Sequence, residues 1–202
     1  MKNNREHVLK VATKLISQRG FDGASTREIA QTAKVSQGMI NYYFGSKEAL
    51  LKEIITDFSS QIQNVVESLK NSENEGLEFL KLALRKFFKV SLMNRDLARI
   101  MNVEEMMELR AEVITKNDEV ANIVSNLFLD KIVEGKKQGI YNADVDEELV
   151  VSFLVNALND YIIRSERIII KPTVEGVSNY NEHTQKRILE FCDEYLEKML
   201  MP

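Results

Sequence analysis

Cysteine occurs once in the 202 residues and proline twice, at positions 172 and 202. A single thiol excludes an intramolecular disulfide and suits a reducing cytosol, so a cytoplasmic protein is expected. Cys192, among Leu189, Phe191 and Leu196, reads as a small core or interface residue. So little proline leaves long helices uninterrupted. Histidine appears only as His7 and His183, neither of them three residues after a Glu, so the helical Glu-x-x-His metal pattern is missing. His-Glu-x-x-His, the Walker loop and Gly-x-Ser-x-Gly are missing too. No catalytic residue, metal or cofactor is therefore expected, and an enzyme is the poorer reading. The N-terminus lacks the unbroken apolar core of a signal peptide. The most apolar stretch, 149–163, holds 15 residues and includes Ser152, Asn156, Asn159 and Asp160. A membrane span needs ~20 apolar residues, so no membrane partner is expected.

Charge of one sign is unevenly spread. The net charge is −4, which taken alone argues against nucleic acid. Residues 1–52, however, hold nine Lys and Arg against four Asp and Glu, a net +5, and the remainder is −9. A basic head on an acidic body is the asymmetry expected when one end alone meets phosphate.

The head is also where the local signals are densest, from Ser25 to Leu51. Ser25-Thr26-Arg27-Glu28 is a capping box: the Ser25 hydroxyl accepts from the Glu28 N–H while the Glu28 carboxylate returns to the Ser25 N–H. A helix should start at Thr26, with Ile29, Ala30 and Ala33 inward. Ser36 starts a second helix, Gln37 to Tyr43, after a turn at Lys34 and Val35, the short connection of a helix-turn-helix. Ile40 and Phe44 point inward in this reading, leaving Gln37, Gly38, Asn41 and Tyr42 on the other side. Gly45-Ser46 then opens a third helix, whose N–H groups and Lys47 suit a phosphate. Before all three, Val8, Val11, Ala12, Leu15 and Ile16 form one helical stripe that ends at Gly20.

These residues resemble the DNA-binding domain of the TetR family of bacterial transcriptional regulators. The pattern is carried by Thr26, Ile29-Ala30, Val35-Ser36, Gly38, Ile40, Tyr42, Phe44 and Lys47-Glu48-Ala49-Leu50. Two departures stand out: Lys34 occupies a turn position usually held by Gly, and Asn41 and Tyr43 replace the common Tyr and His. A non-Gly residue with positive φ carries strain of about 1 kcal/mol or more. The resemblance implies that Ser36, Gln37, Gly38 and Asn41 face the major groove, with Gln37 and Asn41 able to present a donor and an acceptor to adenine. Tyr42, Lys47 and Thr26 would contact phosphates, Lys34 offers another such contact, and Arg27 and Tyr43 could reach bases or backbone.

Apolar periodicity continues to the end. A long fourth helix from Leu50 through Leu69 leaves the head. Leu77 to Leu92 mark a fifth, and a sixth covers about 96–102. A seventh fills most of Glu104 to Gly135, closed by Gly135 and Gly139. Asp144-Val145-Asp146-Glu147 opens an eighth, which runs to about Ile170, where a β-branched triplet reads as helix end. After a loop at 173–181, a ninth helix continues to Leu200. The expected fold is thus all-α, about nine helices, with a helix-turn-helix domain at 1–47 and a helical effector-binding and dimerisation domain at 48–202.

The eighth helix is apolar nearly all round and so must be covered on every side. Family resemblance implies that it and the ninth form a dimer interface, with Val151, Leu154, Leu158, Ile162, Ile188, Phe191, Cys192, Tyr195 and Met199 as candidates; the alternative is that both only complete the chain's own core. The resemblance also implies a small-molecule effector in a cavity of the body. Candidates there are Phe58, Ile62, Phe87, Phe88, Met101, Met106, Met107, Phe128, Phe153 and Tyr161, with Asn156 and Asp160 as polar groups. Met and Phe suit an adaptable apolar pocket. The function implied is a ligand-responsive homodimer binding double-stranded operator DNA, as a repressor by family habit. A TetR-type activator or a helical protein-interaction adaptor is the alternative, the adaptor leaving the basic head unexplained.

Overall fold

The computed structural model describes residues 2–164 and 180–202. Among them are nine helices and no strand: α1 (Lys2–Gly23), α2 (Thr26–Thr32), α3 (Gln37–Phe44), α4 (Lys47–Lys70), α5 (Gly76–Met93), α6 (Arg95–Met106), α7 (Ala111–Lys137), α8 (Glu147–Arg164) and α9 (Tyr180–Leu200). The β-branched triplet and the loop at 173–179 lie outside the described residues.

Two compact units emerge. The first comprises 1–61 and 94–120, and the second comprises 62–93 and 121–202. In the first, α1 packs against α2 and α6, and α2 against α3. Its core is Val8, Ala12, Ile16, Ile29, Ile40, Leu50, Leu97 and Ile100. In the second, α5 packs on α8 and α9, with Leu80, Leu84, Ile132, Val150, Leu154 and Leu196 inside. The helix α4 runs through both, passing from one to the other after Gln61.

Local chemistry sets most of the boundaries. Gly20, at φ 74, breaks α1 where the sequence predicts its end. The exception is the α6–α7 junction. The expected seventh helix starting at Glu104 is interrupted, because α6 extends to Met106 and Glu108 turns into the left-handed region at φ 49. There Leu109 N donates to Glu104 O at 3.1 Å and Glu108 N to Glu105 O at 3.2 Å, the paired bonds of a Schellman ending, formed here without glycine. Gly135 does not end α7 either. It is buried inside the helix, and a Cβ there would overlap the Tyr141 ring. The residue that leaves the helix is Gly139, at φ 71.

Candidate nucleic-acid interface

Three serines hold the head's geometry. The Ser25 hydroxyl accepts from Glu28 N at 3.1 Å, Ser36 from Met39 N at 3.3 Å, and Ser46 from Ala49 N at 3.0 Å. Each satisfies one of the N–H groups a helix start leaves open. The return half of the expected capping box is not made, since the Glu28 carboxylate forms an ion pair with Arg19. Between α2 and α3 the chain closes a second Schellman ending: Val35 N donates to Ala30 O at 3.0 Å and Lys34 N to Gln31 O at 3.2 Å. Lys34 sits at φ 56, so the turn keeps the shape glycine would give it and Lys34 bears the strain.

On α3, Ile40 and Phe44 are buried, while Gln37, Gly38, Asn41 and Tyr42 are exposed, Tyr42 at 73%. Ser36, Lys34 and Arg27 are exposed beside them in sequence, and Thr26 is half-buried. Gln37 Nε2 donates to Thr26 Oγ1 at 3.3 Å, tying the first residues of α2 and α3 together. Tyr43 differs from its neighbours: it is half-buried and its hydroxyl is enclosed without a hydrogen-bond partner. Its ring lies edge-on to both Tyr42 and Phe44.

Lys47, the first residue of α4, lies with Nζ 4.1 Å from the centre of the Phe21 ring. Two supports of the head carried no sequence signal. Arg5 forms an ion pair with Glu53 and lies 5.2 Å from the Phe44 ring centre. Arg110, at the start of α7, lies 4.0 Å from the Phe21 ring centre and bonds Glu104 and Asp22. Burial works against the Arg110 charge, but the bonds to Glu104 and Asp22 outweigh it and push its pKa up. Only a folded chain brings residues so far apart in sequence together.

The effector candidates divide between the units. Phe58, Met101, Met106 and Met107 belong to the first, the former pair buried and the latter 77% and 64% exposed at the end of α6. In the second, Ile62 is buried, the Phe87 and Phe128 ring centres are 6.3 Å apart, and those of Phe88 and Tyr161 are 5.8 Å apart. Phe87 and Phe128 line an apolar cavity of about 40 Å³ with Leu84, Val124, Val151 and Leu154. Asn156 and Asp160 are not in it. Both are exposed on α8, bonded to Ser152 and Arg164 one turn away.

Phe153 is not in that cavity either. Its ring, 47% exposed, stacks on Tyr195 with centres 4.7 Å apart, and Tyr195 in turn faces Phe191 at 6.5 Å. The interface candidates Val151, Leu154, Leu158, Ile162 and Cys192 are buried within their own unit. The apolar stripe of α8 that turns outward is the opposite one, Leu149 and Phe153, beside Phe191 and Met199, with Ile188 and Tyr195 half-buried. Periodicity finds both stripes of such a helix and does not say which one meets the chain's own core.

Comparison with known proteins agrees with the geometry. The model of the bacterial regulatory proteins of the tetR family matches residues 8–54. The uncharacterised HTH-type transcriptional regulator YdgC of Bacillus subtilis is 30% identical over 165 residues, which cover 77% of each chain. Among solved structures, the ketosteroid transcriptional regulator KstR2 of Mycobacterium tuberculosis superposes with a TM-score of 0.77 at 17% identity, covering 98% of this chain and 95% of that one. The transcriptional regulator FadR of Bacillus subtilis, in complex with stearoyl-CoA, does so with a TM-score of 0.66 at 19% identity, covering 96% and 97%. The chain belongs to the TetR family and is a helix-turn-helix, DNA-binding transcriptional regulator. No helix among its described residues is long and apolar enough to cross a membrane.

Proposed function

We propose that the protein is a cytoplasmic repressor that binds a pseudo-palindromic operator as a homodimer and leaves it on binding a small apolar or amphipathic molecule. The observation that carries this is the outward face of α3, polar and unobstructed over Gln37, Gly38, Asn41 and Tyr42 beside a capped, fixed turn. Gln37 and Asn41 read base edges, while Tyr42, Lys47, Thr26 and Lys34 hold phosphates. Arg27 stands beside them, and the enclosed hydroxyl makes Tyr43 the weakest of the ten as a contact. Two heads related by a twofold axis ask for half-sites about one helical turn apart, or a multiple of it.

Two copies meet through Leu149, Phe153, Phe191, Tyr195 and Met199, the apolar surface that α8 and α9 leave uncovered. The effector opens the small cavity around Phe87 and Phe128, whose lining is almost wholly apolar. The acyl chain in the FadR complex and the steroid in the KstR2 name point the same way for relatives of this fold. Effector and operator favour different arrangements of the heads, so each weakens the other by the same factor. The functional division remains a head at 1–47 and a body at 48–202, with α4 connecting them.

A gel shift with the DNA upstream of the protein's own gene, titrated with salt and then with stearoyl-CoA and a steroid, tests this reading. Binding that strengthens as salt falls is expected, with release by one of the lipids. Retention of the DNA at equal affinity with every lipophilic compound tried would remove the coupling.

A further inference from the structure

Phe21 at the end of α1 is 6% exposed and carries two cations on its ring, Lys47 Nζ at 4.1 Å and the Arg110 guanidinium at 4.0 Å. Two like charges about one aromatic ring repel unless one of them is neutralised. Arg110 sets its single positive charge against two carboxylates. Its Nη1 donates to both oxygens of Glu104, at 2.6 and 2.7 Å, and its Nη2 to both oxygens of Asp22, at 2.9 and 3.0 Å. Glu104 is 2% exposed, the one buried charged residue among those described, so its pairing with Arg110 is obligatory. Lys47, in contrast, forms no ion pair among the described residues. The adjacent Glu48, its pKa lowered first by its own backbone N–H and the Ser46 hydroxyl, also feels the charges of Lys47 and Arg110.

We infer that Arg110 is a positioning residue for DNA binding: by occupying Asp22 and bracing Phe21, it keeps the Lys47 ammonium in place and out of an ion pair with Asp22, open to a phosphate. The inference rests on the assignment of Lys47 to a phosphate. The chemistry is a competition for the Asp22 carboxylate. Asp22 adjoins Phe21 in the chain and is 82% exposed at its side chain, so without Arg110 it is free to turn to the other cation on the same ring. A Lys47 paired with Asp22 releases no counterion from DNA. The head would fold as before and still hold its phosphate less well. Arg110 lies beyond α6, far from any DNA contact in sequence, which is why no helix-turn-helix pattern includes it.

The test is the salt dependence of binding by the full-length protein to a duplex of its own upstream region. Removing Arg110 alone would strand the buried Glu104, so the working variant is Arg110→Ala with Glu104→Gln, its folding checked by thermal melting. Its plot of log affinity against log salt should be shallower by about 0.9 for each head, the loss of one phosphate contact. Adding Asp22→Asn should restore the slope, because the competing carboxylate is gone. An unchanged slope in the double variant overturns the inference. So does a shallow slope that Asp22→Asn leaves shallow, which would make Arg110 a brace only. Lys47→Ala separates the two levels: if it alone leaves the slope unchanged, the phosphate assignment fails and the inference with it. If Lys47→Ala lowers the slope while the Arg110 variant does not, only the inference falls.

Discussion

A methyl group added at Gly38 would meet nothing nearer than the Ser36 hydroxyl, 3.8 Å away, so the fold itself does not call for glycine there. Helix propensity favours alanine at such a site by about 1 kcal/mol. Gly38→Ala should therefore melt at the same temperature or higher while losing operator affinity, if α3 enters the major groove as proposed and its backbone approaches a base there. Equal operator affinity would show that α3 does not come so close. Lys34 poses the reverse case. Its φ of 56 is a conformation glycine adopts freely, and relief of that strain, of order 1 kcal/mol, is partly offset by the greater freedom glycine gives the unfolded chain. Lys34→Gly should therefore unfold at equal or slightly higher denaturant. It should also bind every DNA sequence more weakly, since a cation has left the turn. The serine caps, Ile40 and Phe44 inward, and the polar face of α3 were all legible in the sequence because each depends on neighbours within four residues. Arg5 and Arg110 were not, since their partners Glu53 and Asp22 come from distant parts of the chain.

The helices illustrate the same divide. The start of α8 and the end of α1 could be read from the acidic run Asp144-Val145-Asp146-Glu147, whose Asp146 is the cap, and from Gly20, but the break between α6 and α7 could not, because Glu108 takes a glycine conformation without being glycine. Gly135 misled in the other direction, since its role is to make room for Tyr141. Gly135→Ala should destabilise the second unit by about 1–3 kcal/mol in denaturant melts, as the 3%-exposed Tyr141 has nowhere to retreat. An unchanged midpoint would mean that α7 and Tyr141 move apart at little cost. The end of α7 is also joined to α8 by Lys136, which bonds Glu147 at 2.6 Å and Val145 O at 2.8 Å. The bond to Lys136 first, and the backbone N–H of Glu147 second, hold the Glu147 carboxyl below its ordinary 4.5. A carboxyl whose pKa is depressed on folding stabilises the protein above its unfolded value, and the contribution fades as pH falls through the folded one. Glu147→Gln should lower the melting temperature at pH 6, and the difference from the unaltered protein should vanish as the pH is taken well below 4.5.

For the chain as a regulator, the exposed ring stack of Phe153, Tyr195 and Phe191 matters most. Phe191 is 52% exposed, and a charge there is solvated in a single chain but would be desolvated between two copies. Phe191→Glu should sediment as a folded monomer at micromolar concentration and bind a half-site no better than non-specific DNA. A dimer that survives the charge would place the contact elsewhere. If the proposed dimer covers that aromatic surface, the number of molecules in the cell becomes a signal in itself. While monomers predominate, operator occupancy climbs with the square of their concentration, so halving expression removes about three quarters of the bound regulator. Dosage, as well as effector, would then set when its genes are switched on.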